Sequence, residues 1–145
     1  MNLTYPCVAA LEKGAMFENE DHRFRFSELM SCYSGSPFFS RGLCKCMYLS
    51  AWDDEHFLIL LDMLNDMTLS KSRSTQEMSD NGTMMADAAE GYERLVIQMS
   101  DAFLHNREFT IPDVDIPEPG LRILQQGLEA AKIIDSIFEK ALGQS

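Results

Sequence analysis

Apolar residues recur at every third or fourth position late in the chain. Leu121, Leu124, Leu128, Ala131, Ile134 and Phe138 form one stripe between Pro119 and Gly143. That spacing fits the helical period and excludes a half-buried strand, whose faces alternate at every second residue. A helix with one oily stripe must hide it, so the rest of the chain has to supply matching faces.

Three other segments do so. Met85, Ala88, Ala89, Tyr92, Leu95, Val96, Met99 and Phe103 predict an amphipathic helix over about 84–106, capped by Thr83. Val8, Leu11, Ala15 and Phe17 predict another over 5–17, with Thr4 as its cap. Pro6 stands in its first turn, where a missing N–H costs nothing. Trp52, His56, Ile59, Leu60, Met63 and Met67 share a face of a third, widened by Phe57, Leu58, Leu61 and Leu64. Ser50 and Asp53 read as its capping box, and Asp53, Asp54 and Glu55 meet the positive end of its dipole.

The connecting pieces are less uniform. "FFSRGLCKCMYLSAW" is apolar on nearly every side and reads as a short buried helix, with a strand at 43–49 as the alternative. "NEDHRFRF" alternates His22, Phe24 and Phe26 with charges, which suggests a strand or extended connector at 22–26, followed by a helical turn or two from Ser27. Residues 70–82 are polar and predict a flexible loop. Three prolines between Pro112 and Pro119 predict a stiff extended crossover over about 110–119. The expected fold is therefore all-α: one domain over 1–145, an irregular bundle of four main helices plus short helical pieces, with 22–26 or 43–49 as a minor β element.

Charge narrows the function. Twelve Lys and Arg face twenty-three Asp and Glu, a formal net charge of −11. Nucleic-acid affinity comes from cationic contacts that release counterions, so direct DNA or RNA binding is not expected. No run approaches the ~20 apolar residues of a membrane span. The first residues lack a basic n-region, and Glu12 and Lys13 interrupt their apolar stretch, so a cytoplasmic location with reduced thiols is expected. A protein partner with a basic surface suits the field of such a chain.

Cys32, Cys44, Cys46 and His56 are the candidate metal ligands, since thiolates and imidazole suit zinc. Their spacing is not that of zinc knuckles, and a C-x-C on a helix sends its sulfurs to different sides. Packing as small hydrophobes is the preferred reading of these cysteines, and no cofactor is expected. No nucleophile elbow, phosphate loop or H-E-x-x-H is present, so an enzyme is not expected. His56 reads as a core histidine, His105 as a partner of a helix C-terminus and His22 as solvated.

"DVDIPEP" lacks the pattern of a calcium loop and reads as a solvated acidic segment. Asp113, Asp115 and Glu118, joined by Asp101 and Glu108, form the expected partner-binding patch. The favoured function is a small acidic, non-enzymatic interaction factor: an inhibitor, adaptor or immunity-type protein, by analogy with phage and mobile-element accessory proteins. The alternatives are a secretion-type chaperone acting as a homodimer through an apolar groove, and a zinc-binding module built on the four ligands above.

Overall fold

A computed structural model describes residues 3–33, 35, 39–57 and 91–143. It is all-α, with no strand among those residues. Helix α1 spans Thr4–Lys13, α2 Glu20–Tyr33, α3 Arg41–Ser50, α4 Glu93–Leu104 and α5 Gly120–Gly143. A further helical turn occupies 54–57. The predicted loop at 70–82, the Thr83 cap and the stretch 84–90 lie outside the described residues.

α3 is the hub. It packs on α2, α4 and α5, and all its residues from Gly42 to Ser50 are buried except the half-buried Lys45. This is what an all-round apolar segment requires, because each flank needs a neighbour. The start of α3 is fixed by Ser40, whose Oγ accepts the Leu43 N–H at 3.1 Å. Gly42 lets α3 touch the end of α4: a Cβ there would meet the Phe103 carbonyl oxygen and lie 3.2 Å from the Leu104 Cα. α5 runs against α1, α3 and α4, burying Ile123, Leu124, Gly127, Ala130, Ala131 and Ile134.

Both β alternatives are overturned. Residues 43–49 lie within α3, and 22–26 lie within the continuous helix α2. The alternation His22, Phe24, Phe26 misled because only two of the three face inward. His22 and Phe26, four apart, are fully buried, while Phe24 is 61% exposed. The α2 start is set by Asn19, whose Oδ1 accepts the His22 N–H at 2.9 Å.

Two other boundaries moved. α1 ends at Lys13 rather than 17, because the Met16 N–H turns back to the Leu11 carbonyl and the Ala15 N–H to that of Glu12. That is a Schellman closure with Ala15 in the left-handed region, at φ 57°. The helix expected from 84 does not run through Gly91, whose φ is 63°; its described part begins at Glu93. The Ser50–Asp53 capping box does not form. Ser50 ends α3, buried, and Asp53 alone caps the next turn by accepting the His56 N–H at 2.8 Å.

Candidate interaction surface

The end of α4 repeats the closure of α1. The Arg107 N–H returns to the Ala102 carbonyl, the Asn106 N–H to that of Phe103, and Asn106 takes the left-handed conformation at φ 54°. Asn tolerates that conformation better than most residues. The turn sends the chain into a segment without regular structure, residues 107–117. Phe109 and Ile111 pack against the core, while Glu108, Thr110 and Pro112 stay outside. Among the described residues no backbone hydrogen bond joins residues 108–111 to another residue. Further on, Ile116 is 7% exposed and pins the segment before the cis Glu118–Pro119 peptide leads into α5.

The five candidate carboxylates differ in exposure. Glu108, Asp113, Asp115 and Glu118 are exposed, and among the described residues none of them forms an ion pair. Asp101 does not belong with them. It is 6% exposed, bound by the Arg107 guanidinium and 3.5 Å from His105 Nε2. The Schellman turn carries Arg107 back over the helix end, so the carboxylate serves the fold. Val114 stands 62% exposed between Asp113 and Asp115.

Beside this segment lies a groove of about 870 Å³, framed by α3, the α4 end, residues 106–111 and α5. Its walls are ionic. Asp135 takes the Lys45 ammonium at 2.8 Å and Arg41 Nη1 at 3.5 Å, and Arg41 also lies 3.7 Å from Glu139. Lys45 stands 5.5 Å from the centre of the Phe103 ring. Arg41, Lys45, Arg107 and Lys132 line this groove beside Glu108, Glu129 and Asp135, and each of the four cations is paired with a carboxylate.

The zinc candidates do not converge. Cys32 is exposed on α2, while Cys44 and Cys46 are buried in α3. Burial pushes the Cys46 thiol up to about 12 and raises that of Cys44 strongly. His56 is 1% exposed and stacks on Tyr92 with ring centres 5.8 Å apart. Its Nδ1 sits 2.7 Å from Asp53 Oδ1. Burial raises the Asp53 carboxyl, but the backbone and ring donors of His56 outweigh it and hold it below its ordinary value. His56 Nε2 is buried and has no hydrogen-bond partner among the described residues. Among the described residues no three His, Cys, Asp or Glu side chains are grouped to hold a metal.

His22 reverses its expectation. It is fully buried rather than solvated, 2.9 Å by Nε2 from the Tyr48 carbonyl, with Nδ1 accepting the Glu18 N–H at 3.1 Å. Its ring packs beside those of Phe17, Tyr48 and Trp52. Flanking charges concealed it in the sequence; the signal available was its four-residue step to Phe26.

Among the described residues no helix is long and apolar enough to cross a membrane. Comparison of this chain with protein-family models, with curated proteins and with solved structures finds no match.

Proposed function

We propose that the chain is a small acidic interaction factor, an inhibitor, adaptor or immunity-type protein, which binds a basic surface of a larger protein and performs no catalysis. One observation carries this reading: Glu108, Asp113, Asp115 and Glu118 are exposed, and without an ion-pair partner among the described residues, on a segment anchored by Phe109, Ile111 and Ile116. Carboxylates that serve stability are normally matched by a cation or a helix N-terminus. Among the described residues none of these four has a cation partner, and their summed field favours a cationic partner while raising its association rate. Val114, exposed between Asp113 and Asp115, offers an apolar contact beside the charges.

The test is capture from the native host at low and high salt, using the wild-type chain and the variant Glu108→Gln, Asp113→Asn, Asp115→Asn, Glu118→Gln. A basic protein retained at low salt, lost at high salt and lost in the variant supports the reading. Capture indifferent to both changes removes it. Recovery of nothing but a second copy of the chain replaces it with the dimeric chaperone.

A further inference from the structure

Residues 108–112 have the pattern of a β-strand with no strand beside it. The chain makes neither turn nor bend over 107–112, and exposure alternates along it. Glu108, Thr110 and Pro112 stand outside, while Phe109 and Ile111 are half-buried against the core. That period of two belongs to extended backbone. Among the described residues no hydrogen bond takes the N–H or C=O of 108, 109, 110 or 111. The same segment is one wall of the groove of about 870 Å³, which α3 and α5 close on the other sides. We propose, resting on the function above, that the basic partner docks here through an extended peptide. This peptide pairs with residues 108–111 as a second strand and alternates basic with apolar side chains.

The backbone sets the pairing. A strand matched to four residues spans about 13 Å and lies about 4.8 Å from its neighbour. Alternate residues turn their N–H and C=O to the same edge, so 108–111 offers about two donors and two acceptors there. Pro112 has no N–H, which ends the ladder at that residue. In strand addition the main chain supplies affinity, and alternate side chains supply selectivity.

The side chains select the peptide. Those of an added strand point alternately to the two faces of the pair. On the inner face they meet Phe103, Leu128 and Ala131 beside Phe109 and Ile111, which calls for apolar residues. On the outer face they stand beside Glu108, which has no ion-pair partner among the described residues. Opposite charges across a strand pair stabilise it and like charges weaken it, so Lys or Arg fits there. Asp113, just past the end of the ladder, favours the same sign. The cations of the groove are each held by a carboxylate already, so they do not call for an acidic peptide.

The experiment titrates the isotope-labelled full chain at low salt with the peptide acetyl-Lys-Val-Lys-Val-Lys-Val-amide, read by NMR and amide exchange. Two controls keep its composition or its order: the block peptide Lys-Lys-Lys-Val-Val-Val, and the alternating peptide N-methylated at every residue. The alternating peptide should bind at least about tenfold more tightly than either control, because only it offers both the pattern and the donors. Exchange at two alternate residues of 108–111 should slow at least about tenfold. Glu108→Gln, an exposed change, should weaken the alternating peptide about threefold. No binding at about 1 mM, equal binding of either control, slowed exchange only outside 108–111, or no effect of Glu108→Gln overturns strand addition. The acidic-partner reading fails by a different result, host capture that survives neutralisation of the four carboxylates.

Discussion

His22 of α2 and Tyr48 of α3 are joined through the His22 Nε2 and the Tyr48 carbonyl, 2.9 Å apart in the core. Because Nδ1 already accepts the Glu18 N–H, the ring carries its proton on Nε2 and is neutral. The Tyr48 hydroxyl in turn donates to the Met16 carbonyl, so one aromatic cluster ties α2, α3 and the end of α1 together.

Acid should undo that cluster. Burial pulls the His22 pKa down from 6.5 to about 4. The fold thus favours the neutral ring, and the contribution is complete above pH 6.5, the unfolded value. It declines as the pH falls from 6.5 to about 4 and is absent below, a difference of about 3 kcal/mol. Urea unfolding at pH 7, 5.5 and 4 should show the loss, and His22→Gln should flatten the drop between 7 and 5.5. An equally steep drop in the variant would assign the acid sensitivity to other groups.

The two Schellman turns are unequally made. Ala15 occupies a left-handed position that suits glycine, whereas Asn106 tolerates the same geometry. Ala15→Gly should therefore raise stability by about 1 kcal/mol, and Asn106→Gly should change it little. Thermal melts of the two variants beside the wild type decide this. A destabilised Ala15→Gly protein would contradict it.

Glycines at helix contacts differ in the same testable way. At Gly42 an added methyl meets the backbone of Phe103 and Leu104, which cannot yield without parting α3 from α4. At Gly127 it meets only the tips of Met99 and Leu49, at 2.7 and 2.9 Å. Gly42→Ala should cost about 3 kcal/mol and Gly127→Ala about 1, by denaturant titration. Equal costs would mean that the α3–α4 contact relaxes.

The helical periods of α1, α4 and α5 were legible because each presents its apolar residues at steps of three and four. α2 was hidden: Phe24 completes a false alternation, and the charges beside His22 suggest solvent where the fold supplies Tyr48 and Trp52. The exposure of Glu108, Asp113, Asp115 and Glu118 was legible from the polar, proline-rich composition of their segment. Asp101 was not, because its partner Arg107 reaches it only through the reversal at Asn106. The groove could not be read at all, since Lys45 and Asp135 stand ninety positions apart and meet only in the folded chain.

One consequence follows from the length and position of α5. The same helix that presents Asp135 and Lys132 to the groove also backs α1. Gly14, just past the end of α1, lies against Ile133, between the groove residues Lys132 and Asp135, so one turn of helix serves as wall for the groove on one side and as seat for the amino-terminal helix on the other.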